Sequence, residues 1–203
     1  MCNLYRTKPS AAEVAALFRA PLDGSPNVAS EVYPGYSGLV IAEGSVRSMV
    51  WGFPLVLNSK KTGEPLKPKP VNNARSDKLT AQRGMWKPSF EARRCLIPLS
   101  AWAEAEGPKG NMTRTWMSLP DAETFAVAGI WRDSAEWGPC YSMVMTDAAG
   151  EAAKVHNRMP VILAPDDYQI WTSGDPASAE GLCKAWEGDL NIARTSQPWS
   201  ART

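Results

Sequence analysis

The chain has 203 residues, 44% of them hydrophobic, and a formal net charge of +1. This length can bury one substantial core and fits a single domain over residues 1–203, while the near-zero charge argues against a generic nucleic-acid coat. No apolar run reaches the roughly 20 residues of a membrane span and the N-terminus lacks a signal-peptide pattern, so a cytoplasmic protein with no membrane partner is expected. Four widely spaced cysteines without C-x-x-C, and a single histidine, indicate neither a metal site nor a disulfide framework, and no cofactor-binding signature is present.

In chain order, Ser10 and Glu13 form a capping-box pattern, and Val14, Leu17 and Phe18 share one face of a helix over 11–20 that Pro21 stops. Short apolar or alternating runs at 39–42 and 46–51, around Glu43-Gly44, predict a hairpin that ends at Trp51-Gly52-Phe53-Pro54. Residues 58–70 hold three prolines and four lysines and read as an exposed loop. Strands are predicted at 95–98, 113–119, 125–131 and 141–146, with a turn at 119–122 and a short buried strand at 161–163. Pro165 starts a helix through Trp171, and Ala179, Leu182, Cys183 and Trp186 form a second helical stripe. The absence of βαβ alternation makes the fold class α+β with a mainly antiparallel sheet.

Several positions can carry chemistry. Initiator methionine is usually removed before a small residue, so the mature chain is expected to begin at Cys2. An N-terminal cysteine bears a thiol and a free amine on adjacent carbons, and the pair can condense with an aldehyde into a thiazolidine ring. The alternative is simply a small residue at a frayed end. His156 concentrates all imidazole chemistry on one position. Glu104, near Trp102, is either a partly desolvated proton carrier or a surface carboxylate beside Glu106. Asn73 and Arg75 share a face if their segment is extended. Residues 60–94 hold ten Lys/Arg against Glu64, Asp77 and Glu91, a local excess of +7 on a chain of +1. That segment, which includes Lys67 and Lys69, is either a phosphate-binding surface or a solvated lysine-rich loop.

The order of these features resembles the SRAP family, the SOS-response-associated peptidases or abasic-site-processing proteins. It runs Met-Cys, Trp51-Gly52, Asn73-Ala74-Arg75, then Arg94-Cys95-Leu96-Ile97-Pro98 with Glu104 six residues on, then His156 before Arg158-Met159-Pro160, and spans Cys2 to about Trp171. The resemblance implies a barrel-like antiparallel fold with peripheral helices. It implies an N-terminal cysteine that crosslinks to the ring-opened sugar of an abasic site in single-stranded DNA, with associated lyase chemistry. By motif matching the catalytic set is Cys2, Asn73, Glu104 and His156, while Arg75 and Arg83 match phosphate-holding positions. A monomer acting in the cytoplasm, at the nucleoid during DNA damage, is the accompanying expectation. Leu4 stands where the family has arginine, a role Arg6 can take; Asp77 and Asn157 replace a Glu and an Asp. Leu99-Ser100-Ala101-Trp102-Ala103 replaces the family's aromatic and acidic surroundings of the Glu, and the tryptophans that usually precede Asn-Ala-Arg are absent.

In the implied mechanism, Glu104 and His156 move the protons that open the sugar, the Cys2 amine attacks C1′, and the thiol closes the ring while Asn73 orients both partners. Two other readings compete. Cys2 can be an N-terminal thiol nucleophile acting on amides, including its own Met1. The basic segment can instead belong to a non-covalent single-stranded DNA-binding module that stacks bases on exposed tryptophans.

Overall fold

The structure, a computed structural model, describes residues 2–200. The expected loss of Met1 therefore concerns a residue outside the described range. Strand β1 (Leu4–Arg6) leads to helix α1 (Ala11–Phe18), whose capping box forms as predicted: the Ser10 hydroxyl accepts from the Glu13 N–H, and the Glu13 carboxylate accepts from the Ser10 N–H. The helix ends at Arg19, in the left-handed region at φ 51°, two residues before Pro21. Of its predicted face Val14 is buried and Phe18 packs half-buried, stacked on Tyr168, whereas Leu17 is 57% exposed.

Strand β2 (Glu31–Val32) precedes the predicted hairpin of β3 (Ser37–Ala42) and β4 (Ser45–Trp51), which turns through Glu43 and Gly44, both at positive φ. Next, β5 (Phe53–Leu55) pairs with β6 (Lys69–Val71), so the loop predicted over 58–70 is exposed but its last residues join a strand. Then come β7 (Asn73–Arg75), α2 (Lys87–Ala92), β8 (Arg94–Leu99), β9 (Ala101–Glu106), β10 (Thr113–Ser118), β11 (Phe125–Ser134) and β12 (Gly138–Asp147). The chain finishes with α3 (Gly150–Ala153), β13 (Arg158–Pro160), β14 (Ile162–Leu163), α4 (Tyr168–Ser173), α5 (Pro176–Gly181) and β15 (Asn191–Pro198). Among the described residues no helix is long and apolar enough to cross a membrane.

The helical stripe predicted over 179–186 breaks after Gly181. Leu182 and Cys183 pack against one apolar cluster and Trp186 against the other, a division one helix face cannot serve. Glu104 lies inside β9, a strand the sequence does not announce because Ala and Glu have low strand propensity. Pairing with β1 on one side and β10 on the other overrides that preference.

Five strands close on themselves: β12 pairs β4 in parallel, and β4–β3, β3–β8, β8–β11 and β11–β12 pair antiparallel, giving the barrel. A second sheet runs β15-β10-β9-β1-β2. Alternation along the barrel strands divides the core in two. Val40, Met49, Trp51, Cys95, Ile97, Tyr141 and Met143 join Cys2, Tyr5, Trp102 and Met117 in one cluster. Leu39, Ile41, Leu96, Ala128 and Val144 join Val14, Phe90 and Trp171 from the helices in the other. The functional candidates gather at the first of these.

Candidate functional site

The site is built outward from Trp51-Gly52. The Trp51 indole N–H donates to the Asn72 carbonyl at 3.0 Å, the Met143 N–H donates to the same oxygen at 2.9 Å, and the Ser142 hydroxyl donates to the Val71 carbonyl at 2.6 Å. These bonds, with the parallel β7–β12 pairing of Asn73 opposite Met143, fix the backbone that carries both asparagines. Gly52, at φ 120°, lets Pro70 approach so closely that an added Cβ would collide with its ring and backbone. The motif thus sets the height at which residues 70–73 cross the barrel.

On this platform two side-chain amides converge on one atom. The Cys2 carbonyl accepts from Asn73 Nδ2 at 2.8 Å and from Asn72 Nδ2 at 2.9 Å, and Asn72 Nδ2 also lies 3.1 Å from Asn3 Oδ1. The sequence reading names Asn73 but not Asn72; the signal for it was the adjacent Asn72-Asn73 pair itself. Among the described residues the buried Asn73 Oδ1 has no hydrogen-bond donor. The Cys2 side chain is fully buried, its thiol directed to the Leu4 carbonyl at 3.5 Å. Beside it in the same cluster, Tyr5 and Tyr141 share a buried hydroxyl–hydroxyl hydrogen bond, packed so tightly on Gly38 that a Cβ there would strike both oxygens.

Strand alternation puts Glu104 on the same face of β9 as Trp102, toward the cluster that contains Cys2. Burial raises its carboxyl pKa to about 7, so at neutral pH it is divided between acid and base. Burial also holds the Cys2 thiol well above its ordinary range, and the Glu104 charge pushes it further, which places the two groups in each other's field. The surface-carboxylate reading of Glu104 is thereby excluded.

His156 sits between α3 and β13, with Val155 and Met159 packed against or within the Cys2 cluster. Nδ1 lies 3.0 Å from the Arg158 backbone nitrogen and 3.2 Å from the Arg158 carbonyl oxygen, so the Arg158 backbone holds the orientation of the ring. Burial lowers the His156 pKa, so the ring is neutral at pH 7. Arg158 in turn pairs with Asp147 at 3.2 Å across the β12–β13 register.

The basic candidates divide. Arg75, Arg83, Lys67 and Lys69 are exposed, and Arg75 makes a bidentate pair with Asp77 at 2.9 and 2.8 Å. Arg6 points elsewhere: it pairs with Glu31 at 2.7 Å and lies 4.2 Å over the Trp116 ring, within the small cluster of Leu4, Ala103 and Trp116 rather than that of Cys2.

The model of the SOS response associated peptidase (SRAP) family matches residues 1–198. An abasic site processing protein of Bacillus subtilis is 28% identical over 126 residues, covering 58% of this chain and 55% of that protein. One from Saccharomyces cerevisiae is 28% identical over 184 residues, covering 88% of this chain and 47% of that protein. The chain thus spans about half the length of the curated relatives it matches. Among solved structures, a protein from Bacteroides thetaiotaomicron superposes with TM-score 0.77 at 18% identity, covering 95% of this chain and 91% of its own. A protein from Bordetella bronchiseptica gives TM-score 0.77 at 22% identity over 96% and 99%. Both share the fold.

Proposed function

This chain belongs to the SOS response associated peptidase family, and on that premise we propose that it processes abasic sites in single-stranded DNA by forming a covalent thiazolidine between Cys2 and the ring-opened sugar. The observation that carries the reading is the convergence of Asn72 and Asn73 on the Cys2 carbonyl, beside a buried Glu104 whose pKa is about 7. Two amides on one carbonyl hold the backbone of Cys2 in a single orientation, as an N-terminal nucleophile needs.

An abasic deoxyribose rests mainly as a closed hemiacetal. Glu104 and His156 move the protons that open it to the aldehyde. The neutral Cys2 amine attacks C1′, and the carbinolamine loses water to give an imine. The Cys2 thiol then adds across the C=N bond: sulfur bonds to C1′ and its proton passes to nitrogen, so that aldehyde and aminothiol become thiazolidine and water with no oxidant. A buried thiol held protonated suits this amine-first order and is poorly suited to thiolate attack on amides, which weighs against the peptidase reading. If the imine persists, loss of a C2′ proton expels the 3′ phosphate, the lyase outcome of the same intermediate. Arg75, Arg83, Lys67 and Lys69 supply positive charge for the phosphates.

The test is intact mass before and after incubation with a single-stranded oligonucleotide carrying one abasic site, without borohydride. The expected result is a protein lacking Met1 and an adduct, lighter than the sum by one water, that survives denaturation. Protein that has lost Met1 and binds the oligonucleotide without an adduct overturns the covalent reading in favour of a binding module.

A further inference from the structure

On the helix-covered side of the barrel, where α1, α2 and α4 end, lies a cavity of about 420 Å³ whose lining includes Phe18, Arg19, Arg93, Tyr168, Gln169 and Ser173. Neither Cys2 nor Asn72, Asn73, Glu104 or His156 lines it, and its aliphatic wall of Ile41 and Leu96 belongs to the core cluster that lacks Cys2. We propose that this cavity is a second ligand site that takes a mononucleotide, with the phosphate between Arg19 and Arg93 and the base along the apolar wall. The inference stands apart from the abasic-site reading.

Three observations support it. First, both arginines are uncommitted. Among the described residues neither side chain has an ion pair or a hydrogen bond, and the Arg93 Nε–H is buried without an acceptor. A buried, unmatched donor on a charged group is costly, and the oxyanion of a ligand supplies the acceptor it lacks. Arg94, next in the chain, is the contrast. Its guanidinium is satisfied by the carbonyls of Trp171, Gly174, Phe90 and Glu91, which also neutralises the negative ends of α2 and α4. The Glu43 carboxylate at the cavity pairs with Arg47 at 3.2 Å, so the two free guanidinium groups set the sign of the charge.

Second, unusual backbone conformations converge here. Among the described residues the non-glycine positions at positive φ are Arg19 and Glu43, both at 51°, and both line this cavity. Arg19 occupies the left-handed cap of α1, a position where glycine carries no Cβ penalty. Arginine there brings its charge to the cavity at a cost in helix capping.

Third, size and surface fit. Small-molecule sites span roughly 300–1,000 Å³. Phe18 and Tyr168 stack with ring centroids 5.6 Å apart and, with Ile41 and Leu96, form an apolar wall for a base, while the Gln169 amide and the Ser173 hydroxyl supply neutral donors. Arg93 and Arg94, which count towards the basic excess of residues 60–94, thus line this cavity on the far side of the barrel from Cys2.

Isothermal titration calorimetry on the full chain tests the proposal with deoxyadenosine 5′-monophosphate, deoxyadenosine and inorganic phosphate. The expected result is one mononucleotide bound per chain, weakened at least about tenfold in Arg93→Met, with both fragments binding more weakly than the mononucleotide. Arg19→Gly separates binding from folding. Glycine suits φ 51°, so the melting temperature should hold or rise while affinity for the mononucleotide falls by a similar factor. Arg75→Met, in the basic segment beside the Cys2 site, should bind the mononucleotide as the wild type does. Absence of binding, binding unchanged in both Arg19→Gly and Arg93→Met, or a loss confined to Arg75→Met overturns the site. Either fragment matching the affinity of the mononucleotide overturns the division into a phosphate half and a base half.

Discussion

Two buried polar centres lie on opposite sides of the barrel, and they are finished differently. At the helix-covered side, the Arg94 guanidinium donates to the carbonyls of Trp171, Gly174, Phe90 and Glu91, and the Trp171 indole N–H donates to the carbonyls of Cys95 and Gly129 at 2.9 and 3.2 Å. The charge is buried against carbonyl oxygens and the Phe90 ring and ties α2, α4 and β8 together. At the Cys2 side, Asn73 Oδ1 has no donor among the described residues, and burial raises the Glu104 pKa to about 7, so its carboxyl is divided between acid and base at neutral pH. A closed network fixes a fold; an open one keeps capacity for a group yet to arrive. The difference separates a closed structural centre from the candidate site in a chain where both are buried.

The sharpest way to break the comparison is Cys2→Ala. It is expected to abolish the denaturation-resistant adduct completely while leaving non-covalent binding to the same oligonucleotide largely intact, measured by denaturing gel and anisotropy. Arg94→Met should act in the opposite sense. It strands several buried carbonyls and is expected to lower the unfolding free energy by about 3 kcal/mol in urea, whereas the protein that remains folded still crosslinks.

Glu104→Gln tests the open centre by rate and by stability. The crosslinking rate is expected to fall about 100-fold, and an inflection near pH 7 in the wild-type profile should vanish. The raised carboxyl pKa means that the folded protein binds a proton the unfolded chain has already released. Its stabilising contribution is therefore complete below the ordinary carboxylate pKa and is lost as pH rises through about 7. Wild type should weaken relative to Glu104→Gln by up to about 3 kcal/mol over that window in pH-dependent denaturation. A flat difference overturns the assignment.

The smallest expected effects are at the amides. Asn72→Ala and Asn73→Ala should each slow crosslinking by about fivefold, the loss of one hydrogen bond near 1 kcal/mol, with Asn73 the larger because its buried Oδ1 is left without a donor among the described residues and remains open to substrate. Because both donate to the same carbonyl, the double variant should be non-additive in crosslinking kinetics.

Much of the fold was legible where local chemistry decides. The Ser10–Glu13 capping box, the Glu43-Gly44 turn and the strands predicted at 95–98, 113–119, 125–131 and 141–146, found as β8, β10, β11 and β12, follow from caps, left-handed turn residues and runs of apolar side chains. β9 and β15 were not legible. The first is mostly Ala and Glu, the second Asn191–Pro198 is polar and mostly exposed, and each is a strand through its partners, β1 and β10 beside β9 and β10 beside β15.

The site divides in the same way. The sequence by itself determined the candidate reacting groups, since the Cys2 thiol, the Asn73 amide, the Glu104 carboxylate and the His156 imidazole are properties of residue type and motif order. Only the tertiary structure decided their state and company. It placed Glu104 inside a paired strand and raised its pKa by burial, brought Asn72 to the same carbonyl as Asn73, turned Arg6 toward Glu31, and set Trp199 from the far end of the chain beside residues 3 and 72. Desolvation and convergence depend on what packs around an atom from distant parts of the chain, and local sequence does not carry that information.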